Sequence, residues 1–309
     1  MNLNCINVPY PFGLRGKSAP GFRVTCGRNS QAILRIGEHR FRIHYVSPQH
    51  GFVVISAGPI RQVCYDRSGR PARITGIKPM NLKGTPFFFS KRNRLVATGC
   101  HYSFFANFTG SLGKQNWSTT RCTTQCNGHT DAIINGSCLG TACCKTDMPM
   151  DGAQEFTFTF DKTPPNVTGE EAGTCSAAFF LDLEEQIFTN GRDGWQMPLK
   201  DALVRFGERR MVLDWVIERV TCEQAASRNN FAPHHHHRCN NVSSCINAPS
   251  RAGYFCRCNA GYNQYDGNPY KAGGCIVKIY ALTRKRTLAC PQSTARMNKE
   301  SLHVLAQKA

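Results

Sequence analysis

Alternation between apolar and polar positions dominates this chain. In GFRVTC (21–26), Phe22, Val24 and Cys26 alternate with Arg23 and Thr25. The stretch AILRIGEHRFRIHYV (32–46) reads as a hairpin, with Gly37, Glu38 and His39 in the turn. Leu34 and Ile36 share one face of its first strand, and Phe41, Ile43 and Tyr45 share one face of the second. The opposite face then carries Arg35, Arg40, Arg42 and His44. FVVIS (52–56) and FTFTF (156–160) are further strands, and the longer apolar run MVLDWVI (211–217) reads as a buried one. Helix signals are weak, DLEEQIF (182–188) being the best of them. DKTPPNVTGEEAG (161–173) is loop-like, and RNNFAPHHHH (228–237) separates the middle of the chain from a compact cysteine-rich end. The pattern predicts a mainly β protein.

Cysteine usage changes the picture from a plain β fold to a stapled one. Seventeen cysteines are spread over nearly the whole chain of 309 residues. A disulfide framework in an oxidising compartment uses cysteine in this way. The number is odd, and Cys290, isolated near the C-terminus, is the expected orphan. Zinc is the competing reading for Cys122, Cys126, Cys138, Cys143 and Cys144, because the first two have a permissible ligand spacing. Zinc needs reduced thiolates, and adjacent cysteines tend to point apart. Cys143 and Cys144 are therefore expected to reach two different partners. N-x-S/T sequons at Asn107, Asn116, Asn135, Asn166 and Asn241 agree with a glycosylated, secreted chain. The first residues show no basic and apolar leader, and no run of apolar residues is long enough for a membrane span. The expectation is a mature or truncated secreted chain.

Charge adds a candidate partner. The net charge is +18. Residues 1–100 hold 16 Lys and Arg against two acids, Glu38 and Asp66, while residues 101–221 are net acidic and residues 222–309 basic again. A basic first region suits a polyanion: nucleic acid, anionic lipid or acidic polysaccharide. An extracellular setting favours the polysaccharide. Arg35, Arg40 and Arg42 on the hairpin, with Lys91, Arg92 and Arg94 in PFFFSKRNRLVATGC (86–100), are the candidate contacts. Guanidinium groups repeat about every 6.8 Å on one strand face. At that pitch they can follow an extended chain of carboxylates through charge-assisted pairs.

The last six cysteines of the compact module follow C-x16-C-x5-C-x10-C-x-C-x16-C, from Cys222 to Cys275. With GYFCRCNAGY and GNPYKAGGC, they resemble an EGF-like domain. That resemblance implies the pairing Cys222–Cys245, Cys239–Cys256 and Cys258–Cys275; spacing alone does not select it. Upstream, INVPYPFGL, FRVTCG, GPIRQVCYD, GTPFFFSKRNRLVATGC, GSCLGTACCKTDMP and VLDWVIERVTC occur in the order seen in the extracellular regions of plant wall-associated receptor kinases. The resemblance covers the chain from Cys5 to Cys275 and implies a cell-wall receptor ectodomain that binds pectic polygalacturonate. It implies three parts: a galacturonan-binding-like domain (1–100), an associated C-terminal-region-like β domain (101–221) and an EGF-like module (222–275), with a divergent tail (276–309) expected to be disordered. The family's upstream cysteine pair, acidic calcium-binding repeat, membrane span and kinase have no counterpart in these residues, so calcium binding, anchoring and kinase activity do not carry over.

No hydrolase, metalloprotease, P-loop or kinase motif is present in the sequence. The expectation is a non-catalytic protein without cofactor or metal. Its partner would be an acidic polysaccharide (pectin or an oligogalacturonide) in the cell wall or outside the plasma membrane. Two alternatives stay open. One is a signalling module that binds a protein or peptide through the EGF-like part. The other is an intracellular zinc or nucleic-acid binder.

Overall fold

The computed structural model describes residues 3–68, 70–77, 79–110, 117–126, 132–134, 138, 140–162, 175–182, 196–198, 209–227, 239–249 and 252–277. In chain order the strands begin with β1 (Val24–Cys26), β2 (Ala32–Ile36), β3 (His39–Ser47), β4 (Phe52–Ala57), β5 (Arg61–Tyr65), β6 (Pro71–Thr75) and β7 (Phe87–Phe89). They continue with β8 (Asn93–Thr98), β9 (Tyr102–Gly110), β10 (Trp117–Thr123), β11 (Ala132–Ile134), β12 (Cys143–Asp147), β13 (Ala153–Lys162) and β14 (Cys175–Asp182). The remainder are β15 (Gln196–Pro198), β16 (Arg209–Trp215), β17 (Ser243–Asn247), β18 (Tyr254–Cys258), β19 (Tyr262–Gly267) and β20 (Cys275–Val277). Among the described residues there is also one short helix, α1 (Cys222–Ser227), and one 3-10 turn at Arg28–Ser30. The protein is thus mainly β. Of the helical reading of 182–188, Asp182 instead ends β14, and 183–188 fall outside the described residues.

Two antiparallel sheets form the body. The larger has nine strands in the order β1-β2-β3-β4-β16-β7-β13-β9-β10, and the smaller has five in the order β12-β8-β14-β5-β6. β4 and β7 come from the first hundred residues, yet β16 lies between them. β8 and β5 likewise flank β14. The basic first region and the acidic middle region therefore share both sheets, and the charge step does not coincide with a break between layers.

Side-chain alternation explains why the sheets stack. Val53, Ile55, Met211, Leu213, Trp215, Phe87 and Phe89 point from the larger sheet into a core shared with Leu95, Ala97, Ala178 and Phe180 of the smaller one. Phe180 stacks on Phe89 at 5.6 Å and meets Phe156 edge-on at 5.3 Å. Such aromatic pairs add to the area they bury. β14 is buried along almost its whole length, as a central strand covered on both sides should be. A buried amide joins the layers: the Asn93 side chain donates to Val212 O (2.7 Å) and Ser90 O (2.9 Å), and its Oδ1 accepts from the Val212 N–H at 2.7 Å.

Eight disulfides join sixteen cysteines among the described residues: Cys5–Cys26, Cys64–Cys175, Cys100–Cys126, Cys122–Cys144, Cys138–Cys143, Cys222–Cys245, Cys239–Cys256 and Cys258–Cys275. The seventeenth, Cys290, lies outside them. The adjacent Cys143 and Cys144 do reach different partners, and Cys122–Cys144 ties the edge strand of one sheet to the edge strand of the other. All five cysteines of the zinc reading are consumed by disulfides. The histidine run 234–237 lies outside the described residues.

The C-terminal cysteine module belongs to the same unit as the sheets, which extends to Val277. Its β18 meets the segment that follows β16 through an antiparallel bridge between Glu218 and Tyr254, and the Ile217 N–H donates to Tyr254 O at 2.8 Å. Tyr270 packs on Trp215 and Tyr10. Burial pushes the Tyr270 hydroxyl pKa up, so the group stays neutral, and it accepts a hydrogen bond from the Cys256 N–H at 3.0 Å. Gln49 Oε1 accepts from the Cys258 N–H, 209 residues away in sequence. Gly51 makes the close approach possible: its φ is +65°, and a Cβ there would sit 3.1 Å from Trp215 O and 3.2 Å from the Phe255 ring.

Candidate functional site on the outer face of the larger sheet

β2 and β3 pair with Leu34 opposite Phe41 and Arg35 opposite Arg40. Leu34 and Phe41 are buried, so Arg35 and Arg40 stand together on the solvent side, with Arg42 opposite Ile33 on the same face. β1 extends the row. Val24 pairs with Leu34, so Arg23, one step earlier, stands beside Arg35. Arg23, Arg35 and Arg40 thus form a line across three strands, with about 4.8 Å between neighbouring strands. Among the described residues none of these three has an acidic partner.

Gly21, Arg23, Thr25 and Arg35 line a depression of about 380 Å³ on this face. Gly21 has φ +83°, and a Cβ added to it would fall 2.8 Å from the Pro86 ring. Only glycine lets the chain turn into β1 there. A larger depression of about 430 Å³ follows β13, but Arg61 and Asp161 give it mixed charge and its floor is phenylalanine.

The second basic group lies apart from the first. Lys91 is exposed in the turn between β7 and β8. Arg92 lies over the Phe52 ring at 4.3 Å, and Arg94, on β8 of the smaller sheet, donates to Asp147 Oδ1 at 3.0 Å. The structure therefore brings Arg35, Arg40 and Arg42 together, adds Arg23, and leaves Lys91, Arg92 and Arg94 elsewhere. Arg23 was visible in the sequence as a polar residue of an alternating stretch, but only the β1–β2 pairing puts it beside Arg35.

Of the sequons, Asn241 is exposed in a turn, and Asn107 is half-buried on the outer face of β9. Asn116, Asn135 and Asn166 lie outside the described residues.

No family model matches, and no solved structure does. The chain is 28% identical over 280 residues to wall-associated receptor kinase 1 of Arabidopsis thaliana, and 31% identical over 295 residues to wall-associated receptor kinase 3 of the same plant. These alignments cover 87% and 88% of this chain. The chain is homologous to the wall-associated receptor kinases. Wall-associated receptor kinase 5 matches similarly, at 29% over 281 residues. The chain spans about a third of the length of these relatives (33% and 35% for the first two), and the shared part is their N-terminal region. The homologous ectodomains are extracellular, and the homology supports a receptor-like extracellular role for this chain. No kinase domain is present in this β-rich chain. No helix among the described residues is long and apolar enough to cross a membrane.

Proposed function

We propose that this chain binds de-esterified pectic polygalacturonate through the outer face of β1, β2 and β3. The observation that carries the reading is the Arg23–Arg35–Arg40 row. Like charges placed directly opposite on a sheet repel and destabilise it. A row of three with no acid beside it is best explained by an anionic partner that supplies the missing charge. Polygalacturonate presents carboxylates at regular intervals along an extended chain, which suits guanidinium groups fixed to a rigid sheet. In this reading residues 222–275 are an EGF-like module, and the exposed Asn241 carries a glycan.

The test is direct binding of an oligogalacturonide to the recombinant chain at low and high salt. Screening falls to about 8 Å at physiological ionic strength, so an electrostatic site loses affinity steeply as salt rises. The Arg35→Ser/Arg40→Ser variant should bind at least tenfold more weakly while keeping its thermal transition. Binding indifferent to both salt and these substitutions rules the site out.

A further inference from the structure

A second cationic cluster sits where the C-terminal cysteine module meets the sheet, drawn from three distant parts of the chain. Phe52, the first residue of β4, is its centre. Tyr45 lies 5.9 Å from the Phe52 ring and His50 6.3 Å, and the Arg92 guanidinium covers the ring at 4.3 Å. Arg257 reaches the same turn from β18. It stands two residues from Phe255, whose ring would touch a Cβ on Gly51, and its guanidinium lies 5.6 Å from that ring. The Arg257 Nε is buried without a hydrogen-bond partner among the described residues. A buried donor left unmade is costly, more so when charged. The acid nearest in the ladder is Asp214, opposite both Phe52 and Phe88. Arg92 covers the first of those rings and Arg219 lies 5.7 Å from the second. Arg92, Arg219 and Arg257 therefore each lie against a ring of this seam, with Asp214 and Glu218 as the acids of its strands.

We infer that this seam is a separate subsite for a carboxylate-bearing sugar, with Arg257 and Arg92 holding the carboxylate and the exposed Tyr45 ring offering a face for the sugar. Tyr45 is 48% exposed, unusual for an aromatic residue on an otherwise buried patch. The nearness of both arginines to His50 is reflected in its lowered pKa, caused first by burial and then by Arg257 and Arg92. The seam lies on the same outer face as Arg40 and Arg42, farther along β3. A uronate chain laid along β3 would pass from the arginine row to the seam, and the cysteine module then contributes to saccharide binding as well as to structure. The inference rests on the acidic-saccharide reading of the preceding section.

The experiment titrates the full chain with a long oligogalacturonide, comparing wild type, Arg257→Gln, Arg257→Lys and Arg35→Ser/Arg40→Ser. His50 is followed by NMR at the same time. Arg257→Gln should lower affinity about tenfold, the loss expected for one charge-assisted contact. Arg257→Lys should recover part of it, and saturating ligand should raise the His50 pKa. If Arg257→Gln binds like wild type and His50 does not respond, while Arg35→Ser/Arg40→Ser loses affinity, the seam is overturned and the arginine row stands. If Arg257→Gln loses affinity and Arg35→Ser/Arg40→Ser does not, the seam stands and the row is overturned. If no variant changes binding, both fall.

Discussion

Arg35 and Arg40 face each other directly across β2 and β3, and neither is ion-paired to an acid among the described residues. Evolution commonly keeps such a stability-reducing pair where function needs it. Replacing Arg35 by Thr, a good strand former, should therefore stabilise the protein by about 0.2–1 kcal/mol while weakening oligogalacturonide binding. Denaturant unfolding and a binding titration on the same variant give the two signs. A variant that gains no stability, or that binds as well as wild type, contradicts the account.

Arg94 makes a contrasting case. Its Nε donates to Asp147 at 3.0 Å across β8 and β12, and Asp147 is largely exposed. Exposed pairs of this kind contribute about 0–1 kcal/mol. Arg94→Ser should leave stability nearly unchanged and reduce saccharide affinity far less than Arg35→Thr does. Equal losses from the two substitutions would move the binding surface to the smaller sheet.

The hairpin was legible from the sequence because apolar and polar residues alternate through it and its turn carries Gly37, but a bulge between Ile43 and Tyr45 turns Tyr45 outward, so it does not share the inner face of Phe41 and Ile43 as the alternation predicts. β4, β13 and β16 were legible for the same reason: apolar runs of strand length. Pairing between distant strands was not. Nothing local says that 209–215 enters between β4 and β7, because a strand edge selects its neighbour through the whole fold. Arg23, His50 and Arg257 were missed as site residues on this account; each becomes interesting only beside a residue far away in sequence. Charge composition suggested a boundary near residue 100, but charge lies on outer faces, while the sheets are organised by the inner ones. The two basic runs also look alike in the sequence, although Arg92 lies on an aromatic ring and Arg94 faces an aspartate.

Asn93 is fully buried and satisfies Val212 at both its N–H and its C=O. Asn93→Ala leaves the Val212 N–H without its partner, while Val212 O and Ser90 O still accept from the backbone N–H groups of Ser90 and of residue 93. The expected cost is about 1–3 kcal/mol for the group left unsatisfied. Urea unfolding should show a lower midpoint with an unchanged slope. A change under 0.5 kcal/mol, the ordinary size for a surface substitution, would mean the amide does not bridge the sheets as described.

With sixteen cysteines in eight disulfides, the seventeenth has no partner left in the chain. Thiol titration of the unreduced, denatured protein should find no more than one reactive group per chain. Several reactive thiols would contradict the framework and reopen the zinc reading for Cys122, Cys126, Cys138, Cys143 and Cys144.

His50 gives the pH dependence its sign. Its ring nitrogen Nδ1 is 2.8 Å from Ser47 Oγ, and burial, Arg257 and Arg92 hold its pKa below the ordinary histidine value of 6.5. The unfolded chain therefore binds this proton more readily than the folded one. The stability contributed by neutral His50 is fully present above the ordinary histidine pKa, and it declines as pH falls from there toward the lowered folded value. His50→Gln should remove that part of the decline, so the stability difference between variant and wild type should itself vary with pH across this window. An oligogalacturonide bound at the seam places carboxylates beside the imidazole and favours its proton, so in its presence the wild-type decline should shrink, with affinity rising as pH falls. A pH-independent difference between the two proteins would mean that burial and the two arginines do not hold the His50 pKa down.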